Sequence, residues 1–168
     1  MSRHWWGKVK DLVSLVAAVV AFAAGPFSAR PRAAGAADVP LAVIVGESSP
    51  LTDVSKSTLR RAFLSEPTVE AGVKLLPLNQ NPGTPERTRF DIAILDLRPD
   101  AMSRFWIDQR IRGQGSPPRA IPSVAILGKL LAHLPGAIAY VKATEVPPGV
   151  KVLTVDGQKP GQPGYALR

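Results

Sequence analysis

The sequence has 168 residues, a net charge of +8 and no cysteine. That length suits one domain. The missing cysteine excludes disulfides, thiolate metal sites, a Cys nucleophile and a lipid-modified N-terminal Cys. Sixteen of the 21 Lys and Arg and 12 of the 13 Asp and Glu lie in residues 38–168, a net +4 there. That mild excess has no basic runs and no aromatic-basic weave, so nucleic-acid binding has little support.

The chain opens with a targeting pattern. Arg3, Lys8 and Lys10 precede Leu12 to Ala24, a 13-residue apolar run broken only by Ser14. Gly25 and Pro26 end the run, and small residues follow from Ala33 to Ala37. This predicts a secretory signal over residues 1–37, cut near Ala36 or Ala37. A spanning helix needs about 20 apolar residues, so a retained anchor is the less favoured reading. The expected location is bacterial, periplasmic or secreted.

Leu41 to Val45 is a continuous apolar run between Pro40 and Gly46, the pattern of a strand covered on both faces. The turn after it carries Ser48 and Ser49. In open α/β sheets ligands gather outside the carboxyl ends of strands, so these hydroxyls are candidate anion contacts, expected to face the same crevice as Thr84; they serve equally to bond their own turn. Asp53 or Ser55 would cap a helix reaching Leu64, with Leu59 and Phe63 on its buried face. Arg60 and Arg61 read as solvated surface charges.

Val73 to Leu78 reads as the next buried strand. Asn79-Gln80-Asn81-Pro82-Gly83-Thr84-Pro85-Glu86-Arg87 follows, a turn ending in a helix cap. Thr84 fits the cap and Pro85 the first helical position. Two uses stay open. The segment is an ordinary cap, with Glu86 complementing the dipole, or a ligand loop in which Gly83, Thr84 and Arg87 meet an anion. Phe90, Ala93, Ile94 and Leu97 form the apolar stripe of a helix from Glu86 to about Leu97. Met102, Phe105 and Trp106 form that of a second helix ending near Ile111, with Trp106 read as core.

Gly113 to Pro118 is a second Gly/Pro loop; it lacks a dinucleotide fingerprint but presents amides and Ser116. Ser123 would cap a helix carrying Val124, Leu127 and Leu131, with His133 in its last turn. Strands are expected over Ala137–Val141 and Val150–Val155, and residues 156–168 as a loosely ordered Gly/Pro-rich tail. No nucleophile elbow, metal-ligand pair or P-loop is present. The expectation is a non-enzyme without cofactor or metal.

Several segments in order carry a family likeness: Leu41 to Val45, Leu59 to Leu64, Gly83-Thr84-Pro85-Glu86-Arg87 with Phe90, Phe105-Trp106, Gly113 to Pro118, Pro135 to Val141 and Pro148 to Leu153. Over about residues 40–155 the sequence resembles the small periplasmic-binding-protein-like proteins related to phosphate ABC-transporter substrate-binding proteins. The resemblance implies an α/β fold, a single-lobe type II periplasmic-binding-protein-like domain with a mixed sheet flanked by helices, over residues 38–155. It implies an exported solute-binding protein for phosphate or a similar oxyanion, partnered by an ABC permease or a sensor. Gly83 and Thr84 match the Gly-Thr of the Ser-Gly-Thr turn that meets the anion in phosphate binders, but Pro82 stands in place of the Ser. Ser48 and Ser49 fall where the family's first-strand loop lies, and Arg87 matches a basic position. The mature chain has the size of one lobe, so the site would bind weakly or be completed by a partner or a second copy in a homodimer. The alternative is an envelope protein-interaction module that kept the fold and lost the ligand.

Overall fold

The computed structural model describes residues 39–168. The expected signal and its cut site lie outside them. The described chain runs β1 (Leu41–Gly46), β2 (Asp53–Val54), α1 (Lys56–Phe63), β3 (Val69–Glu70), β4 (Val73–Lys74), β5 (Leu76–Asn79), α2 (Pro85–Phe90) leading into a π-helical turn (Asp91–Leu95), α3 (Pro99–Ile111), β6 (Arg119–Ala120), α4 (Val124–His133), β7 (Ala137–Lys142), a 3-10 turn (Ala143–Glu145), β8 (Val150–Val152) and β9 (Thr154–Val155). Among these residues, no helix is long and apolar enough to cross a membrane.

Five strands form one sheet in the order β6-β5-β7-β1-β8. β5 runs parallel to β6 and β7, while β1 runs antiparallel to β7 and β8. The expected mixed sheet flanked by helices is therefore present.

Side chains alternate across a strand, so each strand feeds two cores. Leu41, Val43 and Val45 of β1 join Ile138 and Tyr140 of β7 beneath α1, α2 and α3. Ala42 and Ile44 join Ala137, Ala139 and Val141 beneath Leu127 and Leu131 of α4. Both faces are dry, which is why β1 and β7 read as unbroken apolar runs. The Phe90 ring stacks on Tyr140 at 3.9 Å between centroids, and Phe63 tilts against Phe90 at 4.6 Å.

Local chemistry sets the helix ends. Ser55, not Asp53, caps α1 by accepting the Thr58 N–H at 3.0 Å. The Asp53 carboxylate instead accepts the Gly157 N–H at 3.0 Å. The helix expected from Glu86 to Leu97 is shorter: it loosens into the π-helical turn and stops at Asp96, whose φ is 55°. Arg60, read from sequence as solvated, donates to the Leu95 carbonyl and to the Asp96 carboxylate at 2.6 Å. It therefore closes the carboxyl end of that turn. Arg61 pairs with Glu66 at 3.1 Å. The strand expected over Val73–Leu78 is split at Leu75, whose N–H turns to the Thr68 carbonyl. The last strand is split at Leu153, so that β8 pairs with β1 and β9 with β2.

The segment after Val155 corrects an expectation. It is packed, with Tyr165 and Leu167 buried in the core under β1. The Tyr165 hydroxyl donates to the Leu41 carbonyl at 2.8 Å, and the Leu41 N–H donates to the Leu167 carbonyl at 2.9 Å. Its glycines and prolines make turns, and two large apolar side chains anchor it. Burial pushes the Tyr165 phenol up to about 12.

Two glycines mark close approach instead of a special turn. A Cβ at Gly46 would lie 2.1 Å from the Leu131 carbonyl oxygen of α4, and one at Gly136 2.1 Å from that of Lys74.

Tyr165→Ala should cost about 3–5 kcal/mol by urea denaturation, as for a buried aromatic; a loose tail would lose no more than about 0.5 kcal/mol. Gly46→Ala should cost about 1–3 kcal/mol by the same measurement, because α4 must shift to admit the methyl.

Candidate functional site

Strand direction decides which loops can meet. In the register, Leu41 lies opposite Lys142 and Val45 opposite Ile138, while Leu76 and Pro77 of β5 lie beside Ala137 and Ile138. Asn79, Lys142 and Leu41 therefore mark one end of the sheet, and Gly46, Ala137 and Leu76 the other. The Asn79–Thr84 loop opens at the first end. Ser48 and Ser49 follow β1 at the second, so they share no crevice with Thr84. The expectation that they do fails because carboxyl ends gather at one edge only when strands are parallel, and β1 is antiparallel to its neighbour β7. Ser49 is buried: its hydroxyl accepts the Leu51 N–H at 3.4 Å and its carbonyl accepts Lys151 Nζ at 2.5 Å. Ser48 is exposed.

At the first end, Thr84 caps α2. Its hydroxyl accepts the Arg87 N–H at 3.3 Å and donates to the Asn81 carbonyl at 3.0 Å. Gly83 has φ 87°, and a Cβ there would meet nothing within 4 Å. Glycine is thus required by the backbone conformation of the turn. Glu86 pairs with Lys142 Nζ at 3.0 Å. Burial works to raise the Glu86 pKa, but its own backbone N–H and Lys142 outweigh burial and hold it below the ordinary value.

Arg87 is buried rather than solvent-facing. Its Nε donates to both carboxylate oxygens of Asp91, at 2.8 and 2.7 Å, one helical turn on. Its Nη1 reaches the Gln80 carbonyl at 3.4 Å. Burial lifts the Asp91 carboxyl above its ordinary value, against the pull of the Arg87 guanidinium. Beneath this pair, Asn79 Oδ1 accepts from the Tyr140 hydroxyl at 2.5 Å and from the Gln80 N–H at 3.1 Å. Burial also drives the Tyr140 pKa far up.

Arg87 and Asp91 form one wall of a cleft of about 440 Å³. Pro82, Gly83 and Thr88 continue that wall; Pro99, Met102, Ser103 and Trp106 supply another from α3; Pro117, Pro118 and Ala120 close the third side. Of the residues singled out in the sequence, Gly83 and Arg87 line it. Thr84 adjoins Gly83, its hydroxyl donating once and accepting once within the turn. Ser116 is exposed just before Pro117, and its carbonyl accepts the Ser65 hydroxyl at 2.7 Å. Sequence reasoning missed Asp91, although its spacing of four from Arg87 on a helix is the signature of a pair. It also assigned Trp106 to the core alone. Trp106 is buried and does pack there, but it lines the cleft too, and its indole N–H has no partner. Asn79 Nδ2 is likewise buried without a partner. Among the described residues, no cluster of His, Asp and Glu could hold a metal.

A buried ion pair loses to desolvation much of what it gains in attraction, so this one should add little stability over an apolar pair. Asp91→Asn, which leaves the Arg87 charge buried and unmatched, should cost about 3–5 kcal/mol. Arg87→Met combined with Asp91→Leu should recover most of that in urea unfolding. A double variant no better than the single one would refute this account.

No family model and no curated protein matches the sequence. Solved structures do match in fold. An ABC-type phosphate transport receptor from Vibrio cholerae superposes with a TM-score of 0.57 at 14% identity, over 72% of this chain and 48% of that one. A Clostridium perfringens structure with bound phosphate gives 0.55 at 14% identity, over 72% and 46%. PstS from Borrelia burgdorferi gives 0.53 at 13% identity, over 72% and 49%. The match thus spans about half the length of each of these proteins, and the chain has the periplasmic-binding-protein-like fold of phosphate ABC-transporter receptors.

Proposed function

We propose that this protein is an exported, non-catalytic solute-binding domain that holds phosphate or a similar oxyanion in the cleft beside Gly83 and Arg87 and serves an ABC permease or a sensor. The observation that carries the reading is the fold shared with phosphate receptors, joined to a cleft at the loop where the chain leaves β5 for α2. The signal-like segment at residues 1–37 supports export. In this reading Gly83 and Arg87 line the site, Thr84 holds the loop that forms it, and Ser116 sits near its third side. Ser48 and Ser49, at the opposite end of the sheet, take no part. The described domain by itself leaves a bound anion partly in water, where charge contacts are screened. Binding by this domain alone is therefore weak, and is strengthened where a further surface covers the cleft.

A second reading, an envelope interaction module with the fold but no ligand, is favoured by one observation. Asp91 already occupies the Arg87 guanidinium, so the site offers an incoming anion little net positive charge.

Calorimetric titration with phosphate, with sulfate as comparison, separates the two. The solute-binding reading expects saturable heat that Thr88→Asp abolishes, because the new carboxylate stands inside the cleft. A cooperatively folded protein that gives no heat at millimolar phosphate or sulfate would set aside inorganic oxyanions as its solutes, and the interaction module would then stand unless an organic oxyanion binds.

A further inference from the structure

We infer that the cleft is built for an organic carboxylate with an aromatic or branched apolar body rather than for a bare inorganic ion. The inference rests on the reading of this cleft as the solute site and names its ligand class.

Size is the first argument. The cleft, about 440 Å³, falls within the ~300–1,000 Å³ typical of small-molecule sites. A lone tetrahedral oxyanion would fill little of it. The walls are the second. Pro82, Pro99, Met102, Trp106, Pro117 and Pro118 present flat or flexible apolar faces, which suit an apolar body and offer an inorganic ion nothing. The polar side chains among them include Arg87, but its charge is matched by Asp91 at 2.7 Å. A small divalent anion at Arg87 would also meet that carboxylate.

Trp106 is the third argument. The residue is 8% exposed, lines the cleft, and has an indole N–H without a partner. Buried donors are satisfied in the great majority of proteins, so an acceptor oxygen is the missing complement. Met102 lies one turn earlier on the same wall. Its unbranched side chain can give way to let a ligand oxygen reach the indole. Charge beside the α3 wall favours an anionic head. Arg98 adjoins Pro99, is exposed and, among the described residues, is in no ion pair. Arg119, between Pro118 and Ala120, lines a separate hollow with Lys74 and Leu134 instead. One carboxylate oxygen would accept from Trp106 while the head faces Arg98.

The test uses the full chain, labelled with nitrogen-15 and titrated separately with hydrocinnamate, isovalerate and inorganic phosphate. Trp5, Trp6 and Trp106 each give an indole N–H signal, and Trp106→Phe identifies the third. At least one carboxylate should move the Trp106 signal saturably, in the millimolar range or tighter, while phosphate leaves it in place. Ala120→Phe should weaken that binding about tenfold or more by filling the cleft. Ser103→Phe does the same from the opposite wall and guards against misfolding of the first variant. If phosphate binds by calorimetry while neither carboxylate moves the Trp106 signal, this inference falls and the solute-binding reading stands. If none of the three binds, both fall. A carboxylate shift that persists in both folded Phe variants places the ligand elsewhere and overturns the inference.

Discussion

The antiparallel pairing of β1 with β7 is the constraint on which the rest of this structure depends. It places the start of β1 beside the end of β7, and so beside the loop that leaves β5. That end of the sheet gathers the buried Tyr140 and Asn79, the Arg87–Asp91 pair and the Glu86–Lys142 pair. The same pairing carries the turn after β1 to the far end. A parallel β1 would have brought Ser48 and Ser49 to Thr84, and the site would have been rich in hydroxyls. With β1 reversed, the cleft draws its polar groups mainly from α2, and its remaining walls come from α3 and the Pro117–Pro118 segment. Strand direction, more than residue type, thus decides the chemistry of the opening.

Electrostatics within the cleft follow from burial. A guanidinium at the position of Arg87 cannot stay buried without a partner, because desolvation of an isolated charge costs several kcal/mol or more. Asp91, one turn along the same helix, supplies that partner and forces the pair to share one wall. The consequence is a polar but nearly neutral surface. Such a surface orients a ligand by hydrogen bonding more readily than it attracts one by charge, so attraction falls to exposed charge such as Arg98, beside Pro99. Salt should therefore act on approach to the cleft more than on contacts inside it, since screening weakens exposed charges most.

Much of the fold was legible because it rests on local chemistry. Leu41 to Val45 and Ala137 to Val141 show their double burial as unbroken apolar runs. Thr84 with Pro85 shows its cap directly. The stripe at Phe90 and Ile94 and the second one at Met102 and Trp106 show the faces that pack into the core. What sequence did not show was non-local. The direction of β1 depends on which strand it pairs with, and nothing in residues 41–46 encodes that. The tail read as loose because its glycines and prolines dominate the composition, whereas its order depends on Tyr165 reaching Leu41, far away in sequence. For the site, Gly83 and Arg87 were found by their turn and helix positions. Trp106 was placed in the core correctly but its second face was invisible, because only the fold brings α3 opposite the Pro117–Pro118 segment.

The match covers about half of each phosphate receptor, so the physical question is what the surface of one such unit can hold by itself. A bare anion bound to one lobe keeps water on its open side, and the contacts it makes must compete with that hydration. An apolar body gains from burial in proportion to the area removed from water, at about 25 cal/mol per Å², and needs no second wall to do so. For a cleft open on one side, the apolar part of a ligand is thus the part that a single lobe can bind efficiently, and a polar head can remain near the opening where water and arginine share it. The walls of this cleft are proline, methionine and indole, the residue types that suit such an arrangement. Under the proposed ligand class, these walls would bind the apolar body and leave the polar head to the opening.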